Sequence, residues 1–211
     1  MSHTYRHSFM EIDDNVFVNI DYSNSKDELI TLVNDAKARN TDFWGDLHSN
    51  PVIIICDNEK LVARLGGDHD TNTIIFPSQQ SYISVSNEYC NIDILAHEMT
   101  HAEFHARLSV SALSKIPTWF DEGIATQNDY REQYDLNTWD EKTDNEKNTV
   151  ALEDMDEPSE FYAGTADDRR FRYLNAKHEV HNWLENHKQQ GLLNLIDRLN
   201  NGSDFDTAYE K

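Results

Sequence analysis

Ile92-Asp93-Ile94-Leu95-Ala96-His97-Glu98-Met99-Thr100-His101-Ala102-Glu103-Phe104-His105-Ala106-Arg107-Leu108 is the stretch from which the rest of the chain is read. Apolar residues at 94, 95, 99, 102 and 108 recur at helical spacing, and Asn91 or Asp93 offers an N-cap. On such a helix His97 and His101 lie one turn apart on the same face, where both imidazoles can reach one Zn²⁺ at about 2.0–2.1 Å. Glu98, beside the first histidine, is a carboxylate placed to take a proton from a water that attacks a carbonyl and to pass it to the leaving amine. Residue types and spacing therefore point to zinc-dependent hydrolysis, with His97 and His101 as ligands and Glu98 as general base and then acid.

A catalytic zinc site needs a third protein ligand and an open fourth position. His105 continues the i, i+4 series, but it stands eight residues from His97, a rise of about 12 Å, so those two cannot share an ion. His105 is read as an exposed or supporting residue. The metzincin spacing requires Gly at 104 and His at 107; Phe104 and Arg107 occupy those places and exclude that family. The remaining candidate is Glu122, within Ile116-Pro117-Thr118-Trp119-Phe120-Asp121-Glu122-Gly123-Ile124-Ala125.

This second stretch resembles the W-x-x-E-G-x-A signature of the gluzincin metallopeptidases, whose third zinc ligand is a glutamate on a helix downstream of H-E-x-x-H. The distance from His101 to Glu122 is close to that family's and lets the first helix finish before another starts, with Pro117 suited to its first turn. The resemblance implies a zincin-like α+β fold. Residues 1–110 would form a lobe with a mixed sheet and the active-site helix, residues 111–211 a helical lobe carrying the glutamate helix, and the cleft would run between them. It also implies zinc held by His97, His101 and Glu122, and a peptide or protein substrate.

Thermolysin-type members place an acidic residue four positions after the ligand glutamate; Thr126 stands there, so support for the ligands falls to Asp121, Thr126 or Asp129. The segment 172–184 resembles the Y-x-x-A helix of short peptidases in this group, which makes Tyr173 the first candidate to stabilise the oxyanion and Tyr162 the second. Each is equally well read as a tyrosine packed on the core with a wet hydroxyl. His178-Glu179-Val180-His181 is one residue short of H-E-x-x-H and is read as an amphipathic helix, with Val180, Trp183 and Leu184 inward and His178 and Glu179 largely solvated. The absence of a G-x-M-E-N amine-recognition motif tilts the reading from aminopeptidase to endopeptidase. The alternative is a zinc-bearing peptide-binding or regulatory module without turnover. Glu98 argues against it, because a structural zinc fills its four positions with protein ligands and has no use for a base.

Among 211 residues, 39 acidic side chains against 18 basic ones give a net charge of -21, which disfavours nucleic acid and anionic membrane surfaces as partners. No apolar run reaches the length of a membrane span, and Met1-Ser2-His3-Thr4-Tyr5-Arg6-His7 lacks a signal-peptide core, so a soluble, unsecreted chain is expected unless a leader or anchor was removed. Cys56 and Cys90 are read either as one disulfide or as two buried thiols.

Alternation predicts a strand over 15–21, and Ser25 caps a helix expected over 26–46, with Leu29, Leu32, Val33, Ala36 and Phe43 inward. Residues 51–56 form a continuous apolar run and read as a central strand; 73–76 read as another, after a turn at Gly66-Gly67-Asp68. Residues 81–86 alternate, and 82–86 are expected to be the sheet edge along which an extended substrate adds as a strand. The acidic stretch 133–159 reads as a surface excursion, and 191–199 as a short amphipathic helix ending at Asn200-Asn201-Gly202.

Overall fold

The computed structural model describes residues 9–19, 25–65, 71–75 and 80–210, with backbone alone for 71–75. The expected turn at 66–68, Phe76, Ile20, Asp21 and the segment 1–7 lie outside the described residues. The chain divides into two compact units, Met1–Ala106 and Arg107–Lys211. The fold is α+β, with a mixed sheet in the first unit and helices in the second.

The first unit contains β1 (Phe9–Asp13), β2 (Val16–Asn19), α1 (Lys26–Trp44), β3 (Val52–Cys56), α2 (Glu59–Arg64), β4 (Thr71–Ile75), β5 (Ser81–Ser86) and α3 (Ile92–Ala106). The strands are ordered β1-β2-β3-β5-β4. β2, β3 and β5 run parallel, and β1 and β4 close the two ends antiparallel. Their central position explains the unbroken apolar run of β3. Ile53 and Ile55 join Val16, Val18, Ile83 and Val85 in a core with α1 and α3, while Ile54 and Cys56 face the opposite layer with Phe9 and Val62. Successive side chains of a strand leave opposite faces, so a strand covered on both sides must be apolar throughout.

β5 is hydrogen-bonded on both sides, with Ile83 facing Ile53 of β3 and Thr73 of β4. The expectation that 82–86 form an open edge is therefore corrected: β4 ends the sheet on that side. Alternation reports which side chains are buried and carries no information about which strand lies next door.

Ser25 Oγ accepts from the amide of Glu28 and starts α1, which stops at Trp44 because Gly45, at φ 77°, turns the chain out of the helix. Asn40 and Trp44 are buried on the inward face together with Leu29, Val33 and Ala36. The cap of α3 is Asn91, whose Oδ1 accepts from Ile94 N at 3.0 Å; Asp93 instead pairs with Arg39 of α1 at 2.6 Å. Deeper between these helices, Asn40 Nδ2 donates to the Ala96 carbonyl at 3.0 Å, and Thr100 Oγ1 lies 2.9 Å from Asn40 Oδ1. The fully buried carboxylate of Glu103 accepts the amides of His48 and Ser49, which holds the chain after α1 against α3. Both cysteines are free thiols, and burial pushes each up to about 12, which favours the neutral thiol.

The second unit contains α4 (Val110–Leu113), α5 (Thr118–Gln127), α6 (Trp139–Lys142), α7 (Pro158–Phe161), α8 (Ala166–Asn200) and α9 (Phe205–Tyr209). α8 is broken at Lys188, where φ is 56° and ψ -178°. α5 lies close on α8: a Cβ on Gly123 would meet Val180 Cγ2 at 2.6 Å and the Ala176 carbonyl oxygen at 2.7 Å. Phe120, Trp183, Phe205 and Tyr209 stack edge-on and face-on beneath this contact. Asn200, at the end of α8, reaches back to the start of the unit, donating to the Arg107 carbonyl at 2.8 Å and accepting from Ser109 N at 2.7 Å.

The stretch 133–159 is exposed over most of its length, as a surface excursion is, and is anchored by the buried Tyr134, Trp139, Thr143 and Met155. One expectation is corrected here. His178 lies flat against Trp139, ring centroids 3.9 Å apart, and Glu179 accepts from the Tyr209 hydroxyl at 2.8 Å, so neither is simply solvated. Among the described residues, no helix is long and apolar enough to cross a membrane.

Candidate metal centre

α3 sets the first half of the site. His97 and His101 are 7% and 8% exposed, and their Nε2 atoms stand 3.2 Å apart. Two ligands at about 2.0–2.1 Å from one ion in tetrahedral geometry are separated by roughly 3.3 Å. The imidazole pair therefore fits a shared metal. Glu98 is buried beside His97 on the same helix. The hydrogen bonds of Thr100 and Asn40 fix this stretch of α3 against α1. His105 is half-buried one turn on, its ring centroid 5.8 Å from that of His101.

α5 sets the second half. Pro117 is its N-cap and so precedes the first turn by one position, and Thr118 N bonds to the Asp156 carbonyl at 2.8 Å. Four residues on, Glu122 is 6% exposed, and its Oε1 accepts a hydrogen bond from the Tyr162 hydroxyl. The glycine that follows brings this helix against α8, so Glu122 sits on an element with little freedom to shift.

His97, His101 and Glu122 are all buried and together make a donor set that could hold a metal ion.

The supporting candidates part company. Thr126 Oγ1 bonds back to the Glu122 carbonyl at 2.5 Å, steadying its own helix. Asp129, fully buried just beyond α5, holds Arg131 through both oxygens, and its backbone carbonyl accepts from the buried ammonium of Lys177 at 2.7 Å. Tyr173 is half-buried in an aromatic group, its ring 5.5 Å from Tyr134 and 5.0 Å from Phe161. Tyr162 is 43% exposed and reaches Glu122. No reading of spacing could have ranked Tyr162 first, because 40 residues separate it from Glu122 and only the fold of the second unit joins them. Trp119 Nε1 donates to Asp156 at 3.1 Å, a contact that sequence reading missed for the same reason.

No protein-family model and no curated protein sequence matches this chain.

Proposed function

We propose that the protein is a gluzincin-type zinc metallopeptidase that acts as an endopeptidase. The observation that carries the reading is the buried pair of imidazole nitrogens 3.2 Å apart on α3 with Glu98 between them in sequence. In this reading His97, His101 and Glu122 hold zinc, an ion whose chemistry is to acidify a water and polarise a carbonyl oxygen. Glu98 takes the proton of the attacking water and delivers it to the leaving amine, with no other change of residue needed between the two steps. The Tyr162 hydroxyl gives its one proton to Glu122 and would donate to the oxyanion of the tetrahedral intermediate by turning from Glu122 to the substrate, a role the packing of Tyr173 favours less. β4, the end strand of the sheet and a neighbour of α3, offers backbone groups along which an extended peptide adds as a further strand.

The test is cleavage of a mixed peptide library, read by mass spectrometry, with zinc-loaded wild type beside Glu98→Gln and Glu122→Ala. Cuts made by wild type alone are expected, with Glu98→Gln retaining zinc and Glu122→Ala losing zinc affinity. A fully active Glu98→Gln protein would sink the proposal. Silence from a wild type shown to carry one zinc would favour a peptide-binding module.

A further inference from the structure

Residues 139–152 form a strap that folds on itself and lies against α8. Thr143 Oγ1 donates to the Trp139 carbonyl at 2.8 Å and accepts from Glu146 N at 3.0 Å, and the amides of Asn145 and Asn148 return to the carbonyls of Asp140 and Thr143. The turn places Asp144, Asn145 and Glu146 in succession at φ 50°, 55° and 64°. Aspartate and asparagine tolerate that left-handed region, but a glutamate there, third in a row, carries strain that the surroundings must oppose.

A hydrogen bond and a ring stack join the strap to α8. Val150 N donates to Asn175 Oδ1 at 3.1 Å. Trp139, 6% exposed, lies flat on the His178 ring, the centroids 3.9 Å and the planes 9° apart. Beside these contacts a cavity of about 430 Å³ separates Glu146, Val150 and Leu152 of the strap from Asn175, His178 and Asn182 of α8. The strap is therefore pinned to the helix at points and not packed on it throughout, which leaves the ring pair a large share of the docking.

One member of that pair changes charge near neutral pH. The groups that face His178 are Asp140 of α6, Glu146 of the turn, and Glu179 and His181 of α8, and Asn182 Nδ2 lies 3.3 Å from its Nε2. Three carboxylates and an indole face favour an imidazolium, and His181 opposes it. Burial outweighs the carboxylates and holds His178 below the ordinary imidazole range. A released strap, which returns the ring to water, thus binds a proton more tightly than the docked one. As pH falls from the ordinary imidazole value through the lowered one, the docked state loses stability relative to the released state; above that range nothing is lost. We propose that the His178–Trp139 stack is a pH-sensitive latch that keeps residues 139–152 docked on α8 at neutral pH and releases them in mild acid. The latch does not depend on the peptidase reading.

The test is hydrogen exchange of the full chain, read by mass spectrometry at two pH values about two units apart that bracket the imidazole range, with rates corrected for the intrinsic effect of pH. Protection of 139–152 should fall at least about threefold at the lower pH, within the limit of about tenfold per pH unit that one proton allows. His178→Phe keeps a flat ring on Trp139 and leaves every other titrating group in place, so it should show no such fall. A second measurement needs no change at His178. In wild type labelled with 5-fluorotryptophan, the fluorine signal of Trp139, identified by its loss in Trp139→Phe, should shift with a one-proton midpoint below 6.5. Protection insensitive to pH, a fall that persists in His178→Phe, or a Trp139 midpoint at or above 6.5 overturns the latch.

Discussion

Tyr162 shows how much a single residue can carry when its partner is distant in the chain. Its hydroxyl donates to Glu122, and its side chain is 43% exposed, so on the proposed peptidase reading it can turn toward a substrate. Tyr162→Phe is expected to lower kcat by roughly 10²–10³, the usual loss when one oxyanion donor is removed, with zinc content unchanged. Steady-state kinetics on zinc-saturated protein checks this; unaltered kcat with weaker zinc binding would make Tyr162 a positioning residue alone. The approach of the two histidines was legible because a helix converts spacing into direction within one turn. The Tyr162 contact was not, because no periodicity spans the 40 residues that separate it from Glu122. Trp139 and His178 teach the same lesson: their flat stack joins residues that sequence reading placed in an exposed loop and on a solvated helix face.

At the scale of elements, Gly123 decides how closely the glutamate helix approaches α8. Its place in the E-G-x-A stretch has a steric reason, since any side chain would enter the space of Val180 and the Ala176 backbone. Gly123→Ala is expected to cost roughly 1–3 kcal/mol through overpacking, despite alanine's better helix propensity. Thermal unfolding monitored by circular dichroism would register the loss as a lower Tm; an unchanged or higher Tm would mean the two helices separate without penalty. Helix ends and buried strands could be read from the chain, as with Ser25, Asn91 and the β3 run. Neighbour relations could not. The alternation of β5 identified a half-buried strand and left open that β4, later in the sheet order though earlier in the chain, covers its outer side.

For the whole molecule, the net charge of -21 means that like-charge repulsion among the acidic side chains outweighs, on balance, what the basic ones can neutralise. Such self-repulsion opposes compaction and is weakened by salt, whose screening length falls from about 30 Å at 0.01 M to about 10 Å at 0.1 M. Tm should therefore rise by a few degrees, on the order of 1 kcal/mol in stability, between those two salt concentrations. A flat or falling Tm would show that attractive pairs such as Arg39–Asp93 and Arg131–Asp129 outweigh the repulsion. The tie made by Asn200 to Arg107 and Ser109 bears on synthesis as well. It closes a loop of more than 90 residues, so this contact cannot form until nearly all of the helical unit has been translated. At about 5–20 residues per second, the ribosome leaves this segment waiting roughly 5–20 s. Early in that interval the nascent chain, with α5 made and α8 not yet begun, presents the helix face that Ala176 and Val180 later cover, and a stop codon before residue 166 would leave it in that state for good.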